Sequence, residues 1–184
     1  MRLLVTGGLG FIGSNFCRYI LNKHADYEVT NLDKIGIGAN PANLQDLENN
    51  RNYFFVKGDI SNLHIVQKLV GNVDVIVNFA AETPVDRNIV NPGAFLQNNT
   101  IGTFTILEIL RKQKSKAKLV QVSTDEVYGQ TLQGSFTEET PANPSNPYSA
   151  SKAAADMFAL SYHKTYGLDV RVTRCTNNYG PYQL

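Results

Sequence analysis

Thr124-Asp125-Glu126 sets a hydroxyl and two adjacent carboxylic acids at the end of an apolar run, and Tyr148-Ser-Ala-Ser-Lys152 follows with a phenol and an ammonium. Tyr148 and Lys152 are four positions apart, so on a helix they share one face. An ammonium there lowers the phenol's pKa by its charge. The phenolate so produced can take the proton from a hydroxyl whose carbon gives up hydride. Two neighbouring carboxyls supply an acid and a base when their surroundings push their pKa values apart. Together these groups suit proton traffic around a sugar or alcohol carbon. A Tyr-x-x-x-Lys spacing also arises by chance, as packing, so the elements that precede it decide between the two readings.

Those elements begin with strand, glycine turn and helix. Leu3-Leu-Val5 runs into Gly7-x-x-Gly10-x-x-Gly13, and a helix is predicted from about Phe11 to Lys23. The three glycines serve a tight turn, close approach of backbone to a pyrophosphate, and close packing of helix on strand, with helix N–H groups facing a phosphate. A second strand over 27–32 ends in Asp33, twenty residues beyond Gly13, where a dinucleotide fold sets an acid on the adenosine ribose. Its carboxylate accepts from the ribose hydroxyls and repels a 2′-phosphate, which favours NAD, with Lys34 beside it as a counter-indication.

Further strands are predicted over 52–57, 73–78, 118–123 and 168–173, and helices over 42–49, 63–70, 93–112 and 148–166. The alternation argues for a Rossmann-type, doubly wound parallel sheet in a three-layer α/β/α arrangement. Asp59, after the third strand, either contacts an adenine edge or caps the following helix, with Ser61 and Asn62 as competing caps. Small residues after the fourth strand, Ala80 and Ala81, let a ribose and nicotinamide lie against backbone. The two long helices carry apolar residues on more than one face, which suits a subunit interface. Residues 130–147, with three prolines, form a loop closing part of a site.

The chain has 184 residues, 42% hydrophobic and 18% charged, which fits one ordinary globular domain. Its net charge of +1 gives no electrostatic reason to expect a nucleic-acid or membrane partner. Cys17 and Cys175 have neither metal-ligand nor redox spacing and read as buried free thiols. A strand at the very start leaves no room for a signal peptide, and no apolar run approaches the ~18–20 residues of a membrane span. A cytoplasmic location is the expectation.

The glycine turn with Tyr148-x-x-x-Lys152 resembles the extended short-chain dehydrogenase/reductase family of NAD-dependent epimerases and dehydratases. Ser123-Thr-Asp-Glu-Val-Tyr-Gly129 and Arg174-Cys-Thr-Asn-Asn-Tyr-Gly-Pro-Tyr-Gln183 are similar to its dTDP-glucose 4,6-dehydratase branch, and related epimerases usually lack the Asp-Glu pair. The resemblance covers essentially the whole chain. It implies that Tyr148 removes the 4-hydroxyl proton as hydride leaves C4, with Lys152 assisting. Thr124 holds the 4-oxygen, Glu126 takes the C5 proton, and Asp125 protonates the departing C6 hydroxyl. It further implies that Gly7, Gly10, Phe11, Ile12 and Gly13 serve the pyrophosphate turn, and Asp33, Lys34, Asp59 and Ile60 the adenosine end. Ala80, Ala81, Glu82, Asn98, Asn178, Tyr148 and Lys152 line the rest of the NAD site, and Thr83 and Asn177 touch a nucleotide-sugar substrate. A homodimer through the two long helices follows from the same likeness.

The sequence departs from the family pattern at Pro84, where His is common, at Asn98, where Thr is frequent, and at Gly36-Ile-Gly-Ala39. Family members continue well beyond Gly180-Pro-Tyr182, so the smaller nucleotide-sugar domain is expected to be largely absent and residues 1–184 to be the NAD-binding domain. Two alternatives stay open: a UDP-sugar dehydratase, decarboxylase or epimerase, and an NAD-binding module without turnover.

Overall fold

A computed structural model describes residues 1–83 and 91–183, so Pro84 lies outside the described residues. Six strands, β1 (Arg2–Thr6), β2 (Glu28–Asp33), β3 (Tyr53–Lys57), β4 (Val75–Asn78), β5 (Lys118–Thr124) and β6 (Val170–Cys175), form one sheet. Their spatial order is β3-β2-β1-β4-β5-β6 and every pairing is parallel. The order reverses between β1 and β4. A crevice at the carboxyl ends of those strands is where such a sheet accepts a ligand.

The period-2 alternation of β1 divides the core. Leu3 and Val5 face one side with Cys17 and Leu21 of helix α1 (Phe11–Lys23), and Leu44 and Leu47 of a 3₁₀ turn (Pro41–Leu47) close that layer. Leu4 faces the other side with Leu32, Ile76 and Leu119. There it meets Val66 and Val70 of α2 (Leu63–Val70), the Ile106–Leu110 face of α3 (92–112) and Tyr162 of α4 (Pro147–Tyr166). The three-layer arrangement expected from the alternation is the one observed.

Two local features matter for the site. Helix α3, expected as one regular helix, runs through Pro92–Phe95, a π turn at Leu96–Ile101 and Gly102–Lys112. π turns are rare and cluster at functional positions. Helix α4 starts sharply because Asn146 and Ser149 form a reciprocal capping box with Pro147 in the first turn, and Gly167 ends it in the left-handed region at φ 69°. Tyr148 is thereby held in the first turn and Lys152 in the second.

Candidate active site

A cavity of about 720 Å³ lies over the carboxyl ends of the strands. The glycine turn forms one wall and packs directly on neighbouring backbone, because Gly7 and Gly13 carry no side chain. A Cβ on Gly7 would come within 2.7 Å of the Ala80 nitrogen, and one on Gly13 within 2.3 Å of the Gly7 carbonyl oxygen. Gly10 caps α1 without a side-chain hydrogen bond, so the first-turn N–H groups face the cavity unclaimed by a capping side chain.

Asp33 stands at the end of β2, 6% exposed. Leu9 N donates to its Oδ2 at 3.0 Å and Ile35 N to its Oδ1 at 2.8 Å. Burial raises its pKa while these two N–H groups act in the opposite sense. Each oxygen keeps lone-pair capacity for a further donor. Asp59 does not cap α2, because Asn62 does so by accepting from His64 N and Ile65 N. Asp59 lines the cavity and accepts from Ser61 N instead.

At the other end, Thr124 ends β5 and its Oγ1 caps the following turn through Glu126 N at 3.2 Å. Glu126 borders the cavity and lies 3.4 Å from Asn146 Nδ2, which joins it to the start of α4. The Tyr148 ring is buried and meets Phe95 edge-on at 6.2 Å between centroids. Lys152 Nζ donates to the Val122 carbonyl at 2.6 Å.

The electrostatics differ from the expected lowering of the phenol by the ammonium. Burial, with a further contribution from the Glu126 carboxylate, pushes Tyr148 up to about 12, and a Thr124 hydrogen bond acts against this. Burial also lowers Lys152 to about 8, opposed by the Asp156 carboxylate. In the free chain, desolvation outweighs the help the two groups could give each other.

Thr124, Glu126, Tyr148 and Lys152 border the same cavity as Gly7, Gly10, Phe11, Ile12, Gly13, Asp33, Lys34, Asp59 and Ile60. So do Ala80, Ala81, Glu82, Thr83, Asn98, Asn177 and Asn178. Asp125 does not border it, and its Oδ1 accepts instead from Thr124 Oγ1 at 3.3 Å. Both cysteines are free. Cys17 is buried in the core, and Cys175 reaches the cavity wall.

Sequence reasoning missed three residues. Asp156, fully buried one turn past Lys152, accepts from Arg174 Nε at 3.0 Å, and Arg174 Nη1 donates to the Tyr128 hydroxyl at 2.7 Å. This pair joins β6, α4 and the Glu126 turn. Continuing the four-residue step from Tyr148 and Lys152 would have found Asp156. Asn99 on the π turn accepts from Glu82 N at 2.8 Å and donates to Ser151 Oγ at 2.9 Å. Nothing in the sequence pattern announces it, because a regular helix would present positions 98 and 99 in different directions.

Comparison with known proteins gives concordant matches. A curated dTDP-glucose 4,6-dehydratase of Streptomyces niveus is 49% identical across the whole chain, which covers 55% of that relative. Two solved dTDP-glucose 4,6-dehydratases match over the whole chain. One is from Bacillus anthracis in complex with NAD, at TM-score 0.90 and 51% identity, with 57% of its length covered. The other is from Streptomyces venezuelae with NAD bound, at TM-score 0.95 and 48% identity, with 58% covered. The chain thus spans little more than half the length of these relatives. A family profile described as GDP-mannose 4,6 dehydratase matches residues 4–184. That match takes in every residue bordering the cavity, from the glycine turn to the segment after β6, and the chain belongs to this family.

Proposed function

We propose that residues 1–184 form the NAD-binding domain of a nucleotide-sugar 4,6-dehydratase, a hydro-lyase that converts dTDP-glucose to dTDP-4-keto-6-deoxyglucose. The observation that carries this reading is the single cavity in which Thr124, Glu126, Tyr148 and Lys152 meet a glycine turn and a strand-end Asp33. The side-chain-free Gly10 on the cavity wall and the open N–H groups of α1 fit a dinucleotide pyrophosphate. Asp33 keeps acceptor capacity for the ribose hydroxyls. NAD, when bound, supplies the hydride acceptor and donor for the sugar.

In this reading Thr124 Oγ1 binds the sugar 4-oxygen and the Tyr148 oxygen takes its proton. Lys152 faces the nicotinamide ribose, and the Thr124 hydrogen bond acts against the burial that raises Tyr148. Oxidation at C4 acidifies the C5 hydrogen, which the Glu126 carboxylate takes. Asp125 protonates the departing C6 hydroxyl, and reaching it requires a turn toward the cavity when the sugar is bound. Thr83 and Asn177 border the sugar, and Asn178 the cofactor. No net redox change results, so the cofactor stays bound between turnovers. The protein works as a cytoplasmic homodimer joined through α3 and α4.

The test is the mass of dTDP-glucose and of UDP-glucose after incubation with the complete gene product and NAD. Loss of one water from dTDP-glucose, without accumulation of reduced cofactor, is expected. An unchanged sugar nucleotide would overturn the reading, and loss of water from UDP-glucose alone would overturn its choice of nucleotide.

A further inference from the structure

Two cations border the cavity among the described residues, Lys34 and Lys152. Lys152 is held on β5, three strand spacings from β2, or about 14 Å across the sheet. Lys34, next to Asp33, is therefore the cation within reach of the adenosine ribose that Asp33 would bind. Such a lysine ordinarily offers a 2′-phosphate its counter-charge.

Here its ammonium is already engaged. Nζ donates to Asn98 Oδ1 at 2.7 Å, pairs with Glu82 Oε1 at 2.9 Å and lies 3.9 Å from Asp59 Oδ2. Two of its three donors thus have acceptors within hydrogen-bond distance, and the Asp59 carboxylate attracts the ammonium by charge at longer range. Those acceptors are held in place. Asn98 Nδ2 donates to Ala94 O at 2.8 Å, which turns Oδ1 toward the lysine. Asn99 accepts from Glu82 N and donates to Glu82 O, so the π turn of α3 fixes both Asn98 and Glu82. Gly36 leaves room for the lysine arm, since a Cβ there would come within 2.9 Å of Lys34 Cε. With Asp33, Asp59 and Glu82 around it, Lys34 sits in a group of net negative charge.

We propose that the Lys34–Glu82–Asn98 cluster is a second determinant of dinucleotide choice. It removes from use the cation that a ribose 2′-phosphate would need, and so adds sequestration to the repulsion exerted by Asp33. The inference rests on the cavity's taking a dinucleotide, as the proposed function requires. It also assigns a role to the π turn, which holds Asn98 and, through Asn99, Glu82.

The test is calorimetric titration of NAD and NADP into the cofactor-free complete protein and three variants. Asn98→Ala takes one acceptor from Lys34 without changing any formal charge, and should raise NADP affinity relative to NAD by about 3-fold. Glu82→Gln removes the nearer of the two ion-pair partners and should raise it by about 10-fold. Lys34→Gln added to Glu82→Gln should cancel that gain. Unshifted ratios in both single variants, with NAD still bound, would overturn the inference alone. So would a gain that survives Lys34→Gln, because lost repulsion would then explain it. A wild-type protein that binds neither dinucleotide would overturn the inference together with the function on which it rests.

Discussion

Burial brings the Lys152 ammonium to 2.6 Å from the Val122 carbonyl and takes it out of water, and its pKa falls from 10.5 to about 8. A lysine depressed in the folded state binds fewer protons there than in the unfolded chain between those two values. Stability therefore rises with pH through that window, and the full cost of burying the cation is present below pH 8. Lys152→Met should be more stable than the wild type at pH 7 by about 1–3 kcal/mol, and catalytically inert. Denaturant titrations at pH 7 and pH 10 should show the gap narrowing at the higher pH, and a variant less stable at pH 7 would refute this. Tyr148 gives a second expectation with the sign fixed by charge. The Glu126 carboxylate disfavours the phenolate, so Glu126→Gln should lower the Tyr148 pKa below about 12. Phenolate absorbance of Glu126→Gln minus that of Glu126→Gln/Tyr148→Phe reads this directly, and an unmoved or raised midpoint would contradict it.

The glycine turn between β1 and α1 separates folding from binding at neighbouring positions. A Cβ on Gly13 would meet backbone at 2.3 and 2.8 Å, where nothing flexible can give way. One on Gly10, on the cavity wall, would meet the Gly7 carbonyl oxygen at an ordinary 3.4 Å. Gly13→Ala should lose about 2 kcal/mol of stability or more. Gly10→Ala should fold with stability within about 0.5 kcal/mol of wild type yet bind NAD at least about 10-fold more weakly. Melting temperatures with and without NAD separate the two, and equal destabilisation would contradict the assignment. This turn was readable in the sequence because glycine spacing and the strand-to-Asp33 distance are local. So was the strand alternation, which follows from short apolar runs between turn residues. The π turn was not, since only contacts with Glu82 and Ser151 distinguish it from a regular helix. Nor was the Asp156–Arg174 pair, whose partners are 18 residues apart and meet through tertiary packing alone. The raised Tyr148 was hidden for the same reason: desolvation depends on what covers the ring.

Helices α3 and α4 pack on each other through Phe104 and Phe158, whose rings meet edge-on at 5.5 Å, yet leave Leu96, Ile101, Met157, Phe158 and Leu160 substantially exposed. An apolar face shared by two adjacent helices suits a second copy of the chain. Sedimentation of the complete protein should give twice the chain mass, and Phe158→Glu should give a monomer; a monomeric wild type would contradict the dimer. The cavity lies at the carboxyl ends of the strands, apart from that face, as expected for a sheet that switches direction between β1 and β4. In the reaction we propose, the hydrogen that leaves C4 of the sugar for the dinucleotide returns at C6. dTDP-glucose carrying deuterium at C4 tests it most directly, by nuclear magnetic resonance of the product. Recovery of the label on the C6 methyl is the expected result. A dehydrated product with no deuterium at C6, or label lost to solvent, would contradict it.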